Sequence, residues 1–355
     1  MPLRFRWKLL GIPLVLLLLT MALAACTGSK APETLKKDQA GSQQAEAYKA
    51  TKKDWPKGVT WSGSALGGAH YMFGAALAKV VTDKLGVPMA VEATGGPWQS
   101  IELIEKRQTD FGPVPGAMGY EAYNGLGQAK GKKYSDLRAV FPMFPQYLHW
   151  WAFADKEIKD FRDLNGRAVD MSGPGSFLND YGMKLFNYFN IKPKRVTNMA
   201  NFSDANELLV NGQIDAVGAW SGVPAPAAQE MAITRNIAII GVNKKDAEEF
   251  AAKNPLAVGT IPANTYKGQT EPVTTLVVWT FVGTHKDLPE DFIYAVVKAA
   301  SENNKDLVAS YKAAVDALPE NAKYATFPLH PGAVRYFKEK GIQLPDGAIP
   351  PEMKK

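Results

Sequence analysis

The sequence predicts an α/β protein built as two lobes with a cleft between them. Three observations carry that expectation. Short apolar runs, glycine-rich loops and helix-period segments alternate along the chain, the pattern of layered α/β folds with a mostly parallel sheet. The chain beyond residue 57 is about 300 residues, more than one hydrophobic core usually holds. Two apolar, β-rich runs, at 137–153 and 274–283, sit where a chain would cross to a second lobe and return.

The elements follow in order. Val59 to Ser62 reads as a strand, and 63–68 as a glycine-rich loop. Phe73, Ala76, Leu77, Val80 and Val81 then mark a helix that Gly86 and Pro88 end. Met89 to Ala93 is a second strand, followed by the loop Thr94-Gly95-Gly96 and a helix starting near Trp98. Residues 109–114 give a third strand. The pattern restarts at 167–171, runs through the loop 172–176 into a helix, and continues to a helix opened by Phe202-Ser203-Asp204, with Ser203 as its expected N-cap. Residues 213–220 are strand-like. Pro289 with Glu290 and Asp291 suits a helix start, and a last helix after His330-Pro331-Gly332 closes at Gly341. No internal repeat of fixed period is present. The expected division is 58–147 with 277–355 as lobe 1 and 148–276 as lobe 2, with crossings near Leu148 and Val277.

The N-terminus carries a different message. Arg4, Arg6 and Lys8 precede an apolar run at 9–19, and small residues lead to Cys26. That is the layout of a secretory signal peptide over 1–25, and the run is short for a membrane span. Leu23-Ala24-Ala25-Cys26 resembles a bacterial lipobox, which implies cleavage before Cys26 and acylation of its thiol. Cys26 is the sole cysteine, so no disulfide within the chain is available. Residues 26–57 are rich in Lys, Gln, Ala, Ser and Gly and read as a tether. The expected location is extracytoplasmic, with the lipid bilayer as a partner through Cys26.

Composition excludes several function classes. The net charge of +6 falls to +3 once the three basic residues of the leader are removed, and no basic cluster interleaves with aromatics. Nucleic acid is therefore not an expected partner. His70, His149, His285 and His330 lie far apart, and there is no His-Glu-x-x-His, Cys-x-x-Cys or Gly-x-Ser-x-Gly motif. The expectation is a binding protein with no catalytic residues, no metal and no cofactor.

Several segments together resemble the TAXI family of TRAP transporter receptors. They are Gly67-Gly68-Ala69-His70-Tyr71, Glu92-Ala93-Thr94-Gly95-Gly96, Tyr120-Glu121-Ala122-Tyr123-Asn124-Gly125, Gly173-Pro174-Gly175-Ser176, Gly212-Gln213-Ile214-Asp215-Ala216 with Gly222-Val223-Pro224, and His330-Pro331-Gly332-Ala333. The resemblance implies a two-lobed periplasmic-binding-protein-like (type II) fold, a hinge, a small organic anion of amino-acid or dicarboxylate type as ligand, with Trp98 leaving room for an aromatic acid, and a TRAP-type membrane permease as partner. Departures fall on cleft loops: Ala69 and His70 stand where the family usually has Thr and an aromatic, and Pro97-Trp98 is unusual there. A sensory lipoprotein of the same fold is the alternative, and a periplasmic enzyme the more distant one.

Ligands of such folds sit where strand-to-helix loops converge. The expected site therefore comprises Ser64, Gly67, Gly68, His70 and Tyr71 on the first loop, and Thr94, Gly95, Gly96 and Trp98 on the second. Ser172, Gly175 and Ser176, with Trp220, Ser221, Gly222 and Val223, supply the other side. Glycines let a ligand approach the backbone, and helix-start N–H groups favour anions. Thr94 reads equally as a helix cap, Tyr71 as core, and Trp98 and Trp220 as either cleft walls or packing groups. Trp150, Trp151 and His149 are read as hinge packing, and Trp279 as core.

Overall fold

A computed structural model describes residues 54–64, 66 and 68–354. The leader 1–25, Cys26, most of the tether and the site residue Gly67 lie outside the described residues. Among those described, no helix is long and apolar enough to cross a membrane.

The first half begins with β1 (Val59–Ser62), whose Trp61 is fully buried, and the helix α1 (Ala69–Leu85). Gly74 lets the two touch: a Cβ there would come within 2.1 Å of the Trp61 indole nitrogen. Gly86, at φ 70°, ends α1 in the left-handed region that glycine adopts without strain. Then follow β2 (Met89–Glu92), α2 (Pro97–Glu105), β3 (Phe111–Pro115) and α3 (Gly116–Asn124). β1 pairs parallel with both β2 and β3.

The 17-residue strand β4 (Leu137–Phe153) leads into the second half. There β5 (Ala168–Asp170), α4 (Phe177–Tyr188), β6 (Arg195–Thr197), α5 (Phe202–Val210), β7 (Ala216–Ser221) and α6 (Pro226–Thr234) repeat the strand–helix alternation. β8 (Ile237–Ile240), α7 (Lys244–Ala251) and β9 (Ala257–Ile261) complete it. The 13-residue β10 (Val273–His285) returns the chain, and α8 (Glu290–Glu302), α9 (Asn304–Ser310) and α10 (Pro331–Glu339) finish on the first half.

All ten strands join one sheet in the order β2-β1-β3-β10-β4-β7-β5-β6, with β8 on β4 and β9 on β10. The order β2-β1-β3-β10 in one half is matched by β6-β5-β7-β4 in the other. The halves thus repeat in topology although no repeat is visible in the sequence. The expectation of a mostly parallel sheet is corrected: β10 is antiparallel to β3, β4 and β9, and β4 is antiparallel to β7 and β8. Two return strands, each shared by both halves, impose those pairings. The register of β4 against β10 shifts around Pro142, which has no N–H to give the ladder.

Each half has its own core. In the first, Phe73 lies between Trp61 (6.3 Å), Phe141 (6.1 Å) and Phe144 (5.9 Å). In the second, Trp151, Leu209, Val217, Met231 and Tyr266 pack together. Asn201, not Ser203, caps α5: its side-chain oxygen accepts the Asp204 N–H at 2.9 Å, so Ser203 lies inside the first turn.

Candidate functional site

A cavity of about 760 Å³ lies between the halves, within the usual range for small-molecule sites. Its walls come from the loops after β1 and β2 on one side and after β5, β6 and β7 on the other, with Gln146 and Trp151 of β4 between.

On the first side the two loops hold each other. The Ser64 N–H donates to Thr94 Oγ1 at 3.0 Å, and the Thr94 N–H donates to the Ser64 carbonyl at 2.9 Å. Thr94 is therefore not the cap of α2; that position is Gly96, which has no side chain to offer. Gly68 caps α1 in the same bare fashion. Both helices start with N–H groups that no capping side chain accepts, a local positive field.

His70 forms the inner polar wall. Gln146 Nε2 lies 2.9 Å from His70 Nε2, and Ser64 Oγ lies 3.4 Å from His70 Nδ1. Burial lowers the His70 pKa to about 4, so the ring is neutral at pH 7. With the Gln146 amide donating to Nε2, the ring proton sits on Nδ1 and faces Ser64. The ring stacks on Phe144 at 6.0 Å. Gln146 is 3% exposed, and its Oε1 takes no hydrogen bond from the described residues.

On the second side the loops are organised by Asp170, which is fully buried. Its carboxylate accepts the Ser172 N–H (3.0 Å), the Met199 N–H (2.9 Å) and the Thr197 hydroxyl (2.8 Å). One side chain thus ties the loop after β5 to the loop after β6. Ser176 caps α4 by accepting the Asn179 N–H at 3.1 Å, which leaves its hydroxyl proton free to donate elsewhere. Trp151 donates its indole N–H to Asn206 at 3.0 Å. Trp220 meets Phe177 edge-on at 4.8 Å, and Phe177 stacks on Tyr181 at 4.5 Å.

The halves also meet directly. A Cβ on Gly96 would lie 3.0 Å from the Gly175 carbonyl oxygen, so this approach needs glycine. Glu121 of α3 accepts the Tyr181 hydroxyl at 2.9 Å and the Lys184 ammonium at 2.8 Å from each oxygen, both from α4. Lys184 also reaches Asp180 at 3.1 Å. These contacts join α3 of the first half to α4 of the second.

Of the residues singled out from sequence, Ser64, Gly68, His70, Thr94, Gly95, Gly96, Ser172, Ser176, Trp220 and Ser221 line the cavity. Five described ones do not, and each has a reason. Tyr71 turns from the cavity to cover Gly63, where a Cβ would lie 2.7 Å from the ring. Trp98 packs edge-on against Tyr134 at 5.6 Å. Gly175 is occupied with Gly96, Gly222 backs onto the Tyr311 hydroxyl, and Val223 packs on the second core. Trp151, read as hinge packing, is in the wall. Trp279 stacks on Tyr324 at 4.7 Å, away from the cavity.

Residues the sequence did not single out include Gln146, Met72, Met199, Phe202, Glu230 and Tyr311. The loop around Met199 carried a usable signal, since it is a third strand-to-helix loop in the second half. Tyr311 had none, because it arrives from a segment distant in sequence and meets Phe144 at 5.2 Å.

The sequence profile of the NMT1-like family matches residues 62–341. The chain belongs to the NMT1-like family. Its fold is the mixed α/β type II fold of periplasmic binding proteins. Among solved structures it is similar to the periplasmic binding protein BugD, with a TM-score of 0.51 and 14% identity over 82% of this chain and all of that one. It is also similar to MatC from Rhodopseudomonas palustris with bound malate, with a TM-score of 0.53 and 14% identity over 80% of this chain and 96% of that one.

The buried histidines make stability pH-dependent. His70, His149 and His330 are each lowered by burial from 6.5 to about 4. Between these values the unfolded chain binds more protons than the folded one, so stability falls as pH drops from 6.5 to 4. For the nearly inaccessible His149 and His330 the loss is about 3 kcal/mol each at most. Urea unfolding at pH 7 and pH 4.5 should show it, and replacing His149 with Gln should flatten the dependence.

Proposed function

We propose that this NMT1-like protein is the extracytoplasmic receptor of a TRAP-type (TAXI) secondary transporter. It captures a small organic anion by closure of two lobes and delivers it to the membrane permease. The observation that carries the reading is the cavity itself, walled by strand-to-helix loops from both halves of the sheet. Ligands of α/β folds sit at such loop clusters, and contact with both sides couples binding to hinge closure. The lobes are 58–147 with 277–355 and 148–276, crossed near Leu148 and Val277, where β4 and β10 pair. The solute in MatC, malate, is a small organic acid, which agrees with an anion here.

The anion is held by neutral donors. No Lys or Arg is among the described lining residues, whereas Thr94, Ser176, Ser64 and the first-turn residues Ala69 and His70 of α1 are. Hydrogen bonds from neutral groups to a charged ligand contribute about 1.5–3 kcal/mol each. Thr94→Ala and Ser176→Ala should each weaken binding about tenfold or more by calorimetry on folded variants. Unchanged affinity in both, or tight binding of a cation or neutral sugar in place of any acid, would contradict the reading.

Cys26 is proposed as the acylated mature N-terminus, on the basic, apolar and small-residue order before it. Replacing Cys26 with Ala should leave either unprocessed precursor or protein recovered without detergent. A wild-type protein already recovered without detergent, with its mature N-terminus elsewhere, would overturn that assignment.

A further inference from the structure

We infer that Glu121, which stands outside the cavity, sets how long the solute stays bound: its carboxylate holds α4, and with it part of the second-half wall, against the first half. This rests on the closure reading above and names the contact that favours the closed arrangement.

Segment 120–125 carries part of the family resemblance, yet none of it is among the described cavity-lining residues. Its local structure is built around Glu121 instead. Gly125 ends α3 at φ 76°, the Asn124 side chain donates to the Tyr120 carbonyl at 2.8 Å, and the Leu126 N–H donates to the Glu121 carbonyl at 2.8 Å. The last turn of α3 is thereby fixed, and Glu121 is only 9% exposed although it is acidic. A carboxylate so far from water requires donors. Its side-chain partners among the described residues, Tyr181 and Lys184, both come from α4 in the other half.

Those partners form one unit. Lys184 lies over the Tyr181 ring at 4.1 Å. Burial, together with the Glu121 charge, raises the Tyr181 pKa, so the hydroxyl stays a donor. Tyr181 follows Phe177 by one turn and stacks on it, and Ser176 caps the same helix. Ser176 and Phe177 line the cavity. The carboxylate thus positions the wall through the first two turns of α4 without touching the solute.

The direction of the effect follows from the two states. With the halves apart, water takes up Glu121 and Lys184 separately. With the halves together they meet out of water, where a charge-assisted hydrogen bond is strong. An interaction made in one state alone shifts the balance toward that state. Solute enters while the halves are apart and leaves only when they part again. The contact therefore slows departure and leaves arrival unchanged. Lys184 keeps Asp180 as a second partner at 3.1 Å, so a neutral side chain at 121 does not strand the ammonium.

Stopped-flow tryptophan fluorescence, with Trp151 and Trp220 in the cavity wall, reads both rates on the full chain, stripped of solute by unfolding and refolding. Malate, glutamate, phenylacetate, glucose and putrescine are the probes, and the one that the wild type binds most tightly is carried forward. Glu121→Gln should release it about tenfold faster, with association within about twofold of the wild type. Tyr181→Phe keeps the stack on Phe177 and should also speed release; it decides the matter if Glu121→Gln does not fold. Neither variant should lower the solute-free melting temperature by more than a few degrees, whereas damage to packing would. Unchanged release from the folded variants, or slower association with unchanged release, overturns the inference and leaves the receptor reading standing. Binding of glucose or putrescine and of none of the acids contradicts the organic-anion reading, and the rates for that probe then decide the inference. Binding of none of the five overturns both.

Discussion

The pairing of β4 with β10 is the constraint on which the rest depends. Each strand is long enough to serve both halves, and they are hydrogen-bonded to each other from Leu137–His285 to Tyr147–Val277. Everything else in each half is built outward from them: β3 and β1 on β10, β7 and β5 on β4. The pair therefore fixes where the two sets of strand-to-helix loops face each other. Its weak place is equally fixed, at Pro142, where the missing N–H loosens the ladder and the register shifts.

A second contact works against that loosening. Glu121 on α3 meets Tyr181 and Lys184 on α4, so a carboxylate from one half is satisfied by donors from the other. Gly127 makes room for it, since a Cβ there would lie 2.1 Å from the Glu121 carboxylate. The same helix α4 starts at Ser176 and Phe177 in the cavity wall and carries Tyr181 one turn later. Stacking of Phe177 on Tyr181 at 4.5 Å links the cavity wall to the contact between α3 and α4. In the proposed account, a solute that presses on Phe177 and Trp220 and one that favours closure are the same solute. Only interactions that differ between open and closed states shift that balance.

Much of the architecture was legible because its signals are local. Val59 to Ser62, the glycine-rich turns and the apolar run 137–153 each announce their element through composition and period. The loops after β1, β2, β5 and β7 were found for the same reason, and ten residues from them line the cavity. Tyr71 and Trp98, read as either cleft or packing groups, do not line the cavity, because which way a helix turns its first side chains depends on what it packs against, here Gly63 and Tyr134. Gln146 reads in sequence as one more residue of an apolar strand. Its role as a polar wall appears only when α1 brings His70 to within 2.9 Å. Asp170 likewise looks like the end of a strand, yet it supports two loops at once. The mixed sheet was missed because parallel units are local patterns, whereas the antiparallel return strands are settled by the whole chain.

The central claim is that the solute is enclosed between halves that move on β4 and β10. Small-angle X-ray scattering on one preparation, with and without a saturating solute confirmed by calorimetry, tests it most directly. The account predicts a smaller radius of gyration with solute, matching the arrangement in which Gly96 meets Gly175 and Glu121 meets Lys184. Superimposable profiles, with binding established independently, would contradict it.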